Sequence, residues 1–177
     1  MPFQVLGVEQ RSFPDAAATS AAAVTLGISV AQLESWLARF TSATPVRHGI
    51  GHQQVLAAEI ERHFETSLVA AGLQRAPTSV SPALGERADF AASPDGRPPA
   101  LLGEIEFRPN FEKDLVKFAI AARRGLLRLG VLVVATRREE INPAYTSMPQ
   151  FDKVVRVVQE FAPTFPICIL GISGRLS

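Results

Sequence analysis

Residues 101–107 read LLGEIEF, and the reading of this stretch decides the fold. Leu101, Leu102, Ile105 and Phe107 describe a buried strand. Alternate residues of a strand face opposite ways, so Leu102, Glu104 and Glu106 share one face while Leu101, Gly103, Ile105 and Phe107 share the other. The two carboxylates then lie roughly 6.5–7 Å apart along the backbone. An edge strand with one solvated face gives the same pattern. A buried strand with two acids needs something to neutralise them, because unpaired buried charge costs several kcal/mol.

The neighbouring sequence supplies a setting. RADFA (87–91) precedes the turn residues Pro94, Asp95 and Gly96, so 87–107 reads as an antiparallel hairpin. Pro109 and Asn110 stop the second strand, with Asn110 as a candidate helix N-cap. A helix follows with Phe111, Leu115, Phe118 and Ala122 inward. GVLVVAT (130–136) is apolar at consecutive positions, as expected of a central strand covered on both faces. The polar loop 137–150 leads to a helix marked by Phe151, Val154, Val155, Val158 and Phe161, then to the buried strand ICILGIS (167–173).

Upstream, Leu56, Ile60, Phe64 and Leu68 predict a helix over roughly 50–71, stopped by Gly72. Ser29 and Gln32 have capping-box spacing before the stripe Val30, Leu33, Trp36, Leu37 and Phe40. FQVLGV near the start reads as a possible strand, DAAATSAAAVTLG (15–27) as a loop or poor helix, and 74–86 as a loop. From residue 50 the order is α-β-β-α-β-α-β. This is an α/β chain: a mixed β-sheet core flanked by α-helices.

The 177 residues suit one domain with a real core. Net charge is only +1, but residues 108–140 hold 8 Lys and Arg against 4 Asp and Glu, a basic bias just after the acidic strand. That points to an anionic partner, and a solvated helix face gives the same count. The single cysteine, Cys168, lies in an apolar run and reads as a small core residue. No export signal or membrane span is read, so a cytoplasmic protein is expected. His48 and His52 are four apart with His63 further on, but a zinc site needs at least a third convergent ligand and there is no cysteine pair to supply it. The GISG segment (171–174) has no nucleophile-elbow context.

If the hairpin closes, Asp89 joins Glu104 and Glu106. Such an oxygen-rich site suits Mg2+, which takes carboxylates and phosphate oxygens and can support water attack on a phosphodiester. Asp95 is nearer Glu104 in sequence and is the competing candidate, in a turn context.

Hairpin, acid, acid-x-basic position, helix and strand together resemble the PD-(D/E)xK nuclease superfamily. ADF (88–90), GEIEFRPNFEKDLVKFAIAARR (103–124), LGVLVVA (129–135) and FPICILGIS (165–173) resemble BglII/BstYI-type restriction endonucleases more closely. The resemblance covers roughly residues 50–175. It implies a restriction-endonuclease-like fold, Mg2+-dependent cleavage of double-stranded DNA, and a homodimer on a palindromic site. It implies one nuclease domain over 1–177, with 1–46 an N-terminal helical/loop extension and 47–177 the catalytic core.

Residue by residue, Asp89 and Glu104 take the two metal-binding acids, and Glu106 takes the position of the family glutamine. The Glu-x-Glu form is similar to BamHI-type enzymes, where Glu106 would orient or deprotonate water. Lys113 or Lys117 could supply the missing motif lysine's charge. Glu59 is the candidate helix carboxylate for the metal, as in many superfamily members. Arg108, Asn110, Lys117, Arg137 and Arg138, with Arg175, are candidate DNA contacts. Two other functions fit the same residues: a structure-specific repair or recombination nuclease, and a non-catalytic DNA- or protein-binding module.

Overall fold

A computed structural model describes residues 2–43 and 51–176. His48 and the expected 46/47 boundary lie outside the described residues. In chain order the elements are β1 (Phe3–Phe13), α1 (Ala16–Thr25), α2 (Val30–Ala38), α3 (His52–Ala70), β2 (Gln74–Arg75), β3 (Ser79–Ser81), a 3-10 turn (Pro82–Leu84), β4 (Glu86–Arg87), β5 (Phe90–Ser93), β6 (Ala100–Ile105), α4 (Glu112–Arg123), β7 (Leu127–Ala135), α5 (Arg138–Ile141), α6 (Phe151–Phe161) and β8 (Ile167–Leu176).

Six strands form one mixed sheet in the order β1-β8-β7-β6-β5-β2, and β3 pairs separately with β4. The acidic strand β6 is not an edge. It runs antiparallel to β5 and parallel to β7. β7 and β8 are also parallel, whereas β1 returns antiparallel to β8. The parallel strands β6 and β7 therefore end at the same edge of the sheet, where Glu106 and Thr136 follow them.

Helices cover both faces. Leu129, Val131, Val133 and Ala135 of β7 join α1, α2 and α3 in one core, while Leu132 and Val134 join α4 and α6 in the other. This explains the uninterrupted apolar run of β7. Leu56, Ile60, Phe64 and Leu68 of α3 are all buried against the sheet, and Gly72 adopts φ +94° just past the helix end.

The N-terminal segment corrects the expectation of a loop or poor helix. Alanine has the highest helix propensity, and Asp15 accepts from Ala18 N at 2.8 Å to cap α1. α2 starts at the expected capping box, with Ser29 and Gln32 exchanging bonds of 3.1 and 2.8 Å. Together with β1, these helices belong to the sheet and its core. Among the described residues no single helix is long and apolar enough to cross a membrane. α1 and α2 form an apolar pair bent by 85° that buries Ala23, Leu33 and Leu37.

Two smaller expectations are also corrected. The 74–86 loop contains the short strand pieces β2 and β3 and the start of β4. Asn110 does not cap α4. It takes φ +81° ahead of the helix, whose N-cap position is Phe111.

Candidate active site

Register places the first two acids side by side. Phe90 pairs with Gly103, and Asp89 N donates to Gly103 O at 3.0 Å. Asp89 Oδ2 accepts the backbone N–H of Ile105 at 2.8 Å, which turns its carboxylate toward the end of β6. Glu104 and Glu106 are 3% and 7% exposed. The Glu106 backbone stays bonded to β7 through Val133 O at 2.9 Å. Its carboxylate accepts from Arg108 N at 2.6 Å and Arg108 Nε at 3.3 Å.

Helix α4 adds a third buried acid and a cation. Lys117 Nζ lies 2.8 Å from Glu104 Oε1 and 3.0 Å from Asp114 Oδ1, and donates to Arg87 O at 3.2 Å. Asp114 is 3% exposed, and its Oδ2 has no hydrogen-bond partner among the described residues.

Burial, then the charges of Asp114 and Asp89, push Glu104 up to about 9 against the pull of Lys117. Burial also raises Glu106, with Arg108 working the other way. Asp114 is raised by burial despite Lys117. Burial works against the Lys117 ammonium, but Glu104 and Asp114 outweigh it and hold it above the usual lysine range. Glu61 of α3 is raised by burial and by Asp89. Among the described residues, Asp89, Glu104, Glu106 and Asp114 outnumber the two cations paired with them, Lys117 and Arg108, before Glu61 is counted.

A cleft of about 390 Å³ opens over this cluster, lined by Glu106, Arg108, Lys113, Asp114, Lys117 and Tyr145 among others. A smaller cavity of about 180 Å³ lies alongside, lined by Gln53, Glu61, Asp89, Ile105 and Arg108. Arg108 borders both.

The donor set is all oxygen, and its carboxyl groups outnumber the cations beside it. Both properties fit a hard divalent cation such as Mg2+. As the side chains stand, each carboxylate is turned to a protein donor, and among the described residues no three acids or histidines gather around one point.

The expected residues divide between places. Asp89 and Glu104 lie side by side across the register, and Glu106 shares a cleft with Arg108, Asn110 and Lys113. Lys117, expected to contact DNA, is instead 13% exposed and paired inside the acid cluster. Glu59 is also corrected: its carboxylate accepts from Ala43 N at 2.7 Å, and it borders a different cleft with Phe40 and His63. The α3 acid near Asp89 is Glu61. Arg137 lines another cleft with Lys153 and Arg156, and Arg138 pairs with Glu139. Asp95 accepts from Ser93 Oγ and Arg97 N within its turn. His63 Nε2 lies 2.7 Å from Trp36 O.

Asp114 and Glu61 escaped the sequence reading. Asp114 carried a signal: it lies three residues after Phe111 and four before Phe118, inside the apolar stripe itself. Cys168 is a core residue as expected, fully buried, with burial pushing its thiol up to about 12.

The family described as restriction endonuclease BglII/BglIII matches residues 18–172. A crystal structure of restriction endonuclease BglII complexed with a DNA 16-mer is similar with a TM-score of 0.55 and 10% identity, over 95% of this chain and 78% of that one. A crystal structure of free BglII is similar with a TM-score of 0.50 and 9% identity, over 95% and 80%. At such identity the likeness is one of fold. No curated protein sequence matches the chain.

Proposed function

The chain belongs to the restriction endonuclease BglII/BglIII family, and from that premise we propose that it is a type II enzyme. It would hydrolyse phosphodiester bonds of double-stranded DNA at a palindromic site, with Mg2+ and as a homodimer. A two-fold dimer is the symmetric match to a palindrome. The observation that carries this reading is the placement of Asp89 beside Glu104 across the β5–β6 register, next to a cleft rimmed by Arg108, Lys113 and Lys117.

Asp89 and Glu104 would hold the metal, with Glu61 close enough to Asp89 to reinforce the negative field. The metal supplies Lewis-acid stabilisation of charge on the phosphate. Glu106, oriented through its carboxylate by Arg108, takes a proton from the attacking water. Burial raises its basicity toward the range a general base needs. Lys117 contributes the positive charge that a motif lysine would bring, from α4 instead of the strand. Arg108 and Lys113, on the cleft wall, would meet backbone phosphates.

The test is digestion of long unmethylated duplex DNA with Mg2+, with the ends sequenced. Discrete fragments that disappear with chelator are expected, and Glu104→Ala should be folded and inactive. A continuous smear indicates a structure-specific repair or recombination nuclease. Full cleavage by Glu104→Ala removes the site assignment.

One observation favours a second reading, a non-catalytic DNA- or protein-binding module: Glu104 is already paired with Lys117 and the motif lysine is replaced by Glu106. Calorimetry with Mg2+ or Mn2+ separates the two. Absence of binding with and without DNA supports the module.

A further inference from the structure

We propose that Lys117 is a resident counter-ion that a divalent metal must displace from Glu104, and that Asp114 is the positioning residue that keeps the displaced ammonium in the site. The inference rests on the nuclease reading above. It concerns what these residues do before and during metal loading.

The geometry of the ammonium is the starting point. Lys117 Nζ donates to Arg87 O at 3.2 Å and forms ion pairs with Glu104 Oε1 at 2.8 Å and Asp114 Oδ1 at 3.0 Å; the Glu104 contact is an ion pair without hydrogen-bond geometry. A metal on Glu104 and the ammonium repel each other and compete for the same carboxylate. The ammonium must then give up its Glu104 contact.

Two features decide where it goes. Lys117 is 13% exposed, so moving into water means leaving a shielded pocket. Asp114 Oδ2 is buried and has no hydrogen-bond partner among the described residues. It is a spare acceptor on the carboxylate that Lys117 already touches. Asp114 also lies three residues from Lys117 on α4, so the two share a helix face while Glu104 belongs to the strand. An ammonium released by Glu104 can exchange that ion pair for a hydrogen bond to Asp114 Oδ2. The orphaned oxygen is the receiving position of a cation exchange. In the metal-free protein the same lysine offsets the charge of Glu104 once that carboxyl has given up its proton.

The exchange predicts effects of opposite sign. Lys117→Met removes the competitor and should tighten Mn2+ binding by about tenfold. Asp114→Asn leaves the ammonium to rest on Glu104 and should weaken it by about tenfold. A double-mutant cycle distinguishes action through Lys117 from direct action on the metal. If Asp114 works through Lys117, Asp114→Asn has no further effect in the Lys117→Met background. If Asp114 is a ligand or a simple source of negative field, it weakens binding equally in both backgrounds, and the proposal is overturned.

Mn2+ affinity is measured on DNA-free protein by calorimetry and by loss of the free-ion EPR signal. Thermal unfolding without metal is the parallel readout. Lys117→Met should lower the metal-free midpoint and regain more than wild type on adding Mn2+. If Lys117→Met does not fold, Lys117→Gln removes the charge while leaving an amide donor and serves in the same cycle. Wild type that cuts DNA and binds Mn2+, but whose cycle is additive, overturns this inference alone. Wild type that binds neither Mn2+ nor Mg2+, with DNA or without, overturns the nuclease reading and this inference with it.

Discussion

The ring of Phe90 lies across Gly103 on the adjacent strand. The two are paired in register, and a Cβ at Gly103 would stand 1.9 Å from Phe90 Cζ. Phe90 also stacks on Phe64 of α3, with ring centroids 5.3 Å apart. The glycine inside LLGEIEF is therefore the space a ring needs. The acids flank this pair: Asp89 precedes Phe90 and Glu104 follows Gly103.

Gly103→Ala is expected to destabilise the fold by about 2–3 kcal/mol, because the ring is held by Phe64 and cannot simply swing aside. Urea denaturation measures it. Phe90→Leu introduced into the Gly103→Ala protein should recover part of the loss, since the smaller side chain vacates the contact. Wild-type stability for Gly103→Ala alone would contradict the register that brings Asp89 to Glu104.

The acid cluster sets a pH dependence in the metal-free protein. A carboxyl whose folded pKa is raised holds its proton more tightly when folded. It adds stability below its ordinary value, 4.5 for Glu104, and that contribution is lost as pH rises toward the folded value of about 9. Glu106, Asp114 and Glu61 shift the same way. Lys117 is raised above its ordinary 10.5, so its contribution is constant over that window and falls only at higher pH. The urea midpoint should therefore decline between about pH 5.5 and about pH 8.5, and saturating Mg2+ should flatten the decline. A midpoint that rises over this range in metal-free protein would show that the cluster is not proton-loaded.

How far the sequence could be read follows from the size and spacing of particular residues. α3 and β7 were legible because large apolar residues repeat at helical spacing in one and fill consecutive positions in the other. α1 was not, because its buried residues Thr19, Ala22 and Ala23 are too small to mark a stripe among other alanines. β2 and β4 have two residues each, too short for any period. The hairpin acids were found because they interrupt an apolar strand. Asp114 was missed because an acid on a helix is ordinarily read as solvated. The choice of Glu59 over Glu61 failed on helical phase. The two are about 160° apart around the axis, and Glu61, unlike Glu59, continues the cavity-lining run of Gln53, Gln54, Ala57 and Ala58.

That phase difference gives a paired prediction. Glu59→Ala removes the acceptor for Ala43 N and should cost about 1–3 kcal/mol of stability, while cleavage per folded molecule stays near wild type. Glu61→Gln removes charge beside Asp89. It should cost little stability and weaken Mg2+ dependence, seen as a rise in the metal concentration for half-maximal cleavage. The reverse pattern would return the helix carboxylate to Glu59.

The last prediction concerns how the far wall of the cleft is held. Asn142 Nδ2 donates to Gln53 Oε1 at 3.0 Å, and both residues are buried. Asn142 Oδ1 accepts from Ala144 N at 3.2 Å, and its carbonyl accepts from Tyr145 N at 3.0 Å. A side chain on α3 thus fixes the loop that presents Tyr145 to the acid cleft. Asn142→Ala leaves Gln53 with a lost donor in a buried place, at a cost of about 1–3 kcal/mol. Because the same residue shapes the loop turn, cleavage should fall by more than the loss of folded protein accounts for. Tyr145→Phe, which keeps the ring and the backbone bonds, should leave stability nearly unchanged. Gln53→Ala combined with Asn142→Ala should cost less than the sum of the two, since either change alone already breaks the bond. Strict additivity would mean that the pair does not act as a clamp, and that the loop is held by Tyr145 packing alone.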